Sequence, residues 1–210
     1  MAKSSNMGFF YTITEWITRF AYVNILWLVF SLLGLLLFGF FPATIAMFAI
    51  VRKWIMGETE LPVFQTFWSH YKKEFVKGNL LGLILVILGF IILVDLRFIQ
   101  LSNNSITALV QIPIYLFIFA FILTTFYLFP VYVHYDINLF QKFKNAFLIM
   151  MINPLYNLLM IIGVITVYFA LTTIPGLVFF FGGSFLTYIF MWPALRAFEK
   201  IDKKKQDNEN

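Results

Sequence analysis

Apolar residues run along this chain in five stretches of about twenty, near 20–41, 80–99, 106–129, 155–174 and 177–195, each long enough for a helix to cross hydrocarbon. Before the first, Phe9, Phe10, Ile13, Trp16, Ile17 and Phe20 recur at helical spacing, so 1–19 reads as an interfacial lead-in or as the outer turns of the first span. The first span ends at Pro42, where the helix is expected to kink and can continue through 43–54 or restart there. From Pro62 the pattern turns amphipathic. Phe64, Phe67, Trp68, Tyr71 and Phe75 share one stripe, and Lys72, Lys73 and Lys77 occupy other faces, predicting a helix laid on the membrane surface or docked on a partner. A short polar turn with Asn103 and Asn104 separates spans two and three. Span three closes with a second expected kink at Pro130, followed by an amphipathic piece with Leu139, Phe140, Phe143, Ala146 and Phe147 on one side. Pro175-Gly176 makes spans four and five a tight hairpin. Span five is interrupted by Gly182-Gly183 and carries a third expected kink at Pro193; the tail 196–210 is polar, with disorder expected from Lys203.

Composition agrees with lipid as the solvent. The chain is 61% hydrophobic and 12% charged, with mean hydropathy +0.88, whereas soluble domains carry about 25% charged residues. Its 210 residues leave room for one membrane domain and no soluble one. The net charge of +5 raises nucleic acid as a partner, yet the bases flank apolar spans instead of lining one polar face, so nucleic-acid binding is not expected. Twelve of the fifteen Lys and Arg residues form three clusters, at 52–77, 142–144 and 196–205, with only Lys3, Arg19 and Arg97 elsewhere. Five spans place all three clusters on one side. The positive-inside rule makes that side cytoplasmic. The fold class is therefore an all-α integral membrane protein with five transmembrane helices, N-terminus outside, C-terminus cytoplasmic, and amphipathic interfacial helices. Aromatic-Pro-small triplets at 41–43, 129–131 and 192–194 hint at an internal repeat.

Chemistry is sparse. With no Cys, disulfides, thiolate catalysis and Cys-ligated metals are excluded. No phosphate-cradling loop, H-E-x-x-H or G-x-S-x-G occurs, so neither catalytic residues nor a cofactor are expected and the chain is not read as an enzyme. Asp95, near the outer end of span two and two residues from Arg97, is read as an interface anchor. His134 and Asp136 point apart on a helix and lack a third ligand, and His70 lies on the charged part of its helix, so no metal site is expected. Asn24 in span one, with Asn153 and Asn157 near span four, offers interhelical hydrogen bonds. Trp16, Trp27, Trp54, Trp68 and Trp192 suggest interfacial belts.

The ordered set Asn24-x-x-Trp27, Phe41-Pro42-Ala43-Thr44, Arg52-Lys53-Trp54, Gly57, Phe64-x-x-Phe67, Tyr71-Lys72-x-x-Phe75 and Gly78-Asn79 resembles the YesL-like family of uncharacterised Gram-positive membrane proteins. Tyr127-x-x-Pro130, His134-Tyr135-Asp136 and Lys144-Asn145-Ala146 continue the resemblance, which covers about Gly8 to Lys200. Members tend to accompany import systems for complex carbohydrates. The resemblance thus implies an accessory subunit or assembly factor of a carbohydrate ABC importer in the bacterial cell membrane, with membrane lipid and permease subunits as partners. The aromatic stripe and lysines of the 62–77 segment would supply its contacts. The rival readings are an autonomous small-solute transporter or channel, which needs a polar path through the bundle, and a membrane sensor, for which the outer loops are short.

Overall fold

The computed structural model describes residues 2–101 and 105–209, and eight α-helices make the fold. In chain order they are α1 (Ala2–Leu33), α2 (Phe40–Ile55), α3 (Val63–Lys73), α4 (Phe75–Leu101), α5 (Ser105–His134), α6 (Leu139–Ile152), α7 (Pro154–Thr173) and α8 (Gly176–Glu209). Five are long and apolar enough to cross a membrane, through Tyr11–Leu33, Phe75–Leu101, Gln111–His134, Pro154–Thr173 and Gly176–Lys204. The helical membrane class and the five long apolar helices match expectation; the Asn103-Asn104 turn lies outside the described residues.

The largest departure is at the first span. The 1–19 segment is no separate lead-in, because α1 is continuous from Ala2. The helix then breaks at 34–39, well before Pro42. Pro42 sits in the first turn of α2, where its missing N–H has no intrahelical partner to lose, so it starts a helix instead of kinking one. Pro130 and Pro193 do lie inside helices, and those helices continue past them to His134 and Glu209. The tail therefore extends α8, contrary to the expected disorder, and Gly182-Gly183 does not interrupt it. Phe75 and Lys77 belong to α4, since α3 stops at Lys73.

Residues 34–39 reverse the chain tightly. A Cβ on Gly34 would collide with the backbone of Gly39, and one on Gly39 with the carbonyls of Phe30 and Ser31. Leu35 and Leu36 both adopt left-handed backbone, φ 55° and 62°, at a cost of about 1 kcal/mol or more each. The tip is apolar throughout and its Leu35, Leu36, Leu37 and Phe38 side chains are exposed. Its polar backbone is answered within the fold: the Leu36 N–H donates to Ser31 O at 2.8 Å and the Phe38 N–H to Gly34 O at 3.1 Å, while Asn79 Nδ2 of α4 donates to Phe38 O at 3.0 Å. Irregular backbone survives in lipid only when satisfied in this way.

Contacts give the direction of every long helix. Trp16 and Phe20 of α1 meet Trp54 of α2, whereas Trp27 meets Thr44 and Phe40, so α1 and α2 are antiparallel. On α5, Phe129 stacks on Phe48 and His134 meets Arg52, so α5 runs with α2. On α8, Phe126 faces Phe190 and His134 faces Phe198, so α8 runs with α5. Gly78 and Gly82 of α4 approach Pro42 and Phe41 in reverse order, and Gly163 of α7 packs on Ile189 across the Pro175 turn. Thus α1, α4 and α7 point one way and α2, α5 and α8 the other. The chain is three hairpins in series, joined by the short helices α3 and α6.

The returning helices α2, α5 and α8 pack on one another and form the core. Residues 42–51 of α2 are all buried, including Ile45, Phe48 and Ile50. Each of these three helices carries one aromatic-Pro-small triplet. The triplets do not lie at one depth, however: Phe129 stacks on Phe48, six residues beyond Pro42. What repeats is the hairpin with its short connecting helix, not the triplet.

The directions also regroup the charges. Arg19 of α1 reaches Glu60 at 4.0 Å and Trp16 meets Trp54, so the N-terminal half of α1 lies at the same end as the α2–α3 loop. The opposite-side placement of the two termini expected from sequence is not what these contacts give. The starts of α1, α4 and α7 and the ends of α2, α5 and α8 share one end of the bundle, here called the connection end. Of the fifteen Lys and Arg residues, fourteen lie toward the connection end, Arg19 by its approach to Glu60, and Arg97 alone lies toward a hairpin tip.

Candidate functional site

Half of the aromatic stripe on α3 proves to be core. Phe67 is fully buried and Tyr71 nearly so, both against Phe30 of α1 at ring distances of 5.2 and 5.0 Å, and the Tyr71 hydroxyl donates to Phe30 O at 3.2 Å. These two are therefore unavailable to a partner. Phe75, on α4, is half-buried against Tyr71. Phe64 and Trp68 remain exposed, with Lys72 4.9 Å over the Trp68 ring; Lys73 and Lys77 are exposed as well. Amphipathic spacing shows that a face is covered but not by what, and here the chain covers its own.

Asn24 is the buried polar centre of the bundle and has no exposure. Its Nδ2 donates to Phe179 O at 2.7 Å, and its Oδ1 accepts from the N–H groups of Gly183 and Ser184 at 2.9 Å each. The side chain thus lies across the α8 backbone, and Gly183 leaves the room: an added Cβ there would stand 3.1–3.2 Å from Met47, Asn24 and Trp27. Next to it Trp27 Nε1 donates to Thr44 Oγ1 at 3.0 Å, which donates to Phe40 O at 2.7 Å. Trp27 is consequently an internal hydrogen-bond donor at Asn24's depth, not part of an interfacial belt. An apolar cleft of about 590 Å³ between α1, α2, α5 and α8 opens beside this network. Asp95 is half-buried on the distal part of α4 and forms no ion pair with Arg97.

Polar side chains gather at the connection end instead. A cavity of about 230 Å³ lies where α2, α3, α5 and α6 meet. Arg52 and Lys53 enter from α2, His70 and Lys73 from α3, and Lys142 from α6; Glu74 stands at the α3–α4 break, and Tyr132 to Asp136 complete the wall. Arg52 Nε donates to His134 Nδ1 at 3.2 Å, which leaves the histidine proton on Nε2. The Tyr132 hydroxyl donates to Glu74 Oε2 at 2.7 Å, and Lys142 Nζ stands 3.4 Å over the Tyr132 ring. Burial, then the charges of Lys53 and Lys73, hold His70 below its usual value, with Glu74 opposing. Burial likewise lowers Lys142, with Glu74 opposing.

His70, His134 and Asp136 are thus brought together, but with cations and not with a ligand set. Among the described residues no cluster of three or more His, Asp or Glu is placed to hold a metal. Sequence spacing could not reveal this cavity, because Arg52 and His134 stand 82 residues apart. The readable signal was coarser: three basic clusters each end a hairpin.

A family profile described as Protein of unknown function, DUF624, matches residues 20–96. Three Bacillus subtilis (strain 168) proteins are similar over nearly the whole chain. Uncharacterized protein YteU is 41% identical over 203 residues, 97% of this chain and 91% of the relative. Uncharacterized protein YesV is 38% identical over 188 residues, 90% of each chain. Uncharacterized protein YesL is 36% identical over 191 residues, 91% of this chain and 90% of its own. No solved structure matches.

Proposed function

We propose that this chain, which belongs to the DUF624 family, is a non-enzymatic accessory subunit or assembly factor of a carbohydrate ABC importer in the bacterial cell membrane. The connection end, with both termini, faces the cytoplasm, and α2 returns the chain to the side from which α1 set out. The charge distribution supports this orientation: Arg97 alone is distal, a stronger asymmetry than the sequence clusters gave on their own.

The observation that carries a non-transporting role is the Asn24 network. Asn24 is bonded to the α8 backbone, and beside it Trp27 of α1 is bonded to Thr44 of α2, so the polar groups of this part of the bundle are spent on one helix holding another. A bundle locked in this manner supports a binding or scaffolding protein over a channel. Contact with the permease subunits uses Phe64, Trp68 and Lys72, the part of the α3 stripe that the chain leaves uncovered.

Affinity purification of tagged protein from native membranes tests the reading. Permease subunits are expected with the wild-type chain and are lost with Phe64→Asp or Trp68→Glu. Reproducible recovery of no permease, or solute flux by the protein alone in liposomes, overturns it.

A further inference from the structure

The cavity at the connection end holds more positive charge than the chain answers. Lys53 is met at 3.4 Å by Glu58, from the loop outside the cavity. Arg52, Lys73 and Lys142 have no carboxylate within 4.0 Å among the described residues, although Glu74 and Asp136 line the same space. Glu74 is engaged by the Tyr132 hydroxyl. Arg52 uses only its Nε, so its terminal guanidinium nitrogens have no protein acceptor among the described residues. Lys142 is the sharpest case. Only 7% exposed, it has an aromatic face beneath it and no hydrogen-bond acceptor among the described residues, while its ammonium keeps some access to water. A ligand that supplies negative oxygens would give that ammonium the acceptors the chain lacks.

We infer that this cavity binds a phosphoryl anion through Arg52, Lys73 and Lys142. The three cations come from three different helices that meet around one cavity. A tetrahedral anion offers oxygens to several separately held cations, whereas a planar carboxylate offers two oxygens in one plane. The phosphoryl charge also exceeds that of a carboxylate, matching a cavity in which cations outnumber carboxylates. At about 230 Å³ the space falls below the ~300–1,000 Å³ of sites for drug-sized ligands, so it takes a phosphoryl group with little attached to it. Both a free phosphate compound and a lipid headgroup carry that chemistry. The inference stands apart from the importer reading, since neither Phe64 nor Trp68 lines the cavity.

The test uses the full chain in phosphatidylcholine nanodiscs and follows its thermal unfolding. One arm titrates inorganic phosphate against chloride at matched ionic strength; the other replaces part of the lipid with phosphatidic acid. Saturable stabilisation is expected in at least one arm, phosphate alone pointing to a free compound and phosphatidic acid alone to a headgroup. Lys73→Gln, an exposed position that leaves folding intact, and Lys142→Met, which fills buried space with apolar atoms, should each weaken it by about tenfold. Lys200→Gln, outside the cavity, should leave it unchanged. Absence of saturable stabilisation in both arms overturns the inference, and so does equal stabilisation of wild type, Lys73→Gln and Lys142→Met.

Discussion

Replacing Asn24 by Ala removes three hydrogen bonds at a stroke: the donor to Phe179 O and the two bonds accepted from Gly183 and Ser184. Interhelical hydrogen bonds in a membrane protein average about 0.6 kcal/mol each, so the loss comes to about 2 kcal/mol. Asn24→Asp sharpens the question because it keeps the shape and the acceptor. Its carboxylate would face the Phe179 carbonyl with no donor between them and no exposure to water. At neutral pH the Asp variant should therefore be less stable than the Ala variant, since a buried unpaired charge costs more than a missing bond. As pH falls, protonation turns that carboxyl into a donor, and part of the loss should return. Reversible unfolding in mixed micelles at several pH values measures both effects. An Asn24→Ala change within about 0.5 kcal/mol, together with an Asp variant no worse than Ala, would refute the lock.

Two further outcomes follow from the packing and the titration. Gly183→Ala should destabilise by about 1–3 kcal/mol, because its Cβ would crowd Met47, Trp27 and the Asn24 amide, while Gly89→Ala, with open space around it, should be neutral or stabilising; equal effects in the same unfolding assay contradict the close approach. His70, whose folded value lies below its ordinary 6.5, resists a proton that the unfolded chain accepts. Stability should thus be full above pH 6.5 and decline as pH drops from there toward the folded value. His70→Gln should flatten that decline; an unchanged slope between wild type and variant removes His70 from the account.

Much of the fold is legible in the pattern of apolar and polar positions. The α7–α8 turn is announced by Pro175-Gly176, and α6 and α7 begin within a residue or so of the expected places. The α1–α2 reversal is not announced in this way. Residues 32–41 read Leu-Leu-Gly-Leu-Leu-Leu-Phe-Gly-Phe-Phe, with no polar residue to mark a turn. Two close glycines, two left-handed leucines and an amide from α4 make the reversal, and these are tertiary facts that periodicity cannot carry. Because that turn is hidden, α2 merges with α1 in the sequence, and the expectation of termini at opposite ends of the bundle follows from that merger. Likewise Phe67 and Tyr71 announce a buried face without revealing that Phe30 covers it. The cationic cavity draws its residues from α2, α3, α5 and α6, far apart in the chain, so no local motif could mark it.

The three-hairpin arrangement is tested most directly by impermeant maleimide labelling of single cysteines, each the only thiol in a chain that has none. Tyr11→Cys, Lys72→Cys and Lys203→Cys should resist the reagent in intact cells and react after permeabilisation, and Thr173→Cys should react in intact cells. Labelling of Tyr11→Cys from outside while Lys203→Cys stays protected would place the two ends of the chain on opposite faces and contradict the arrangement.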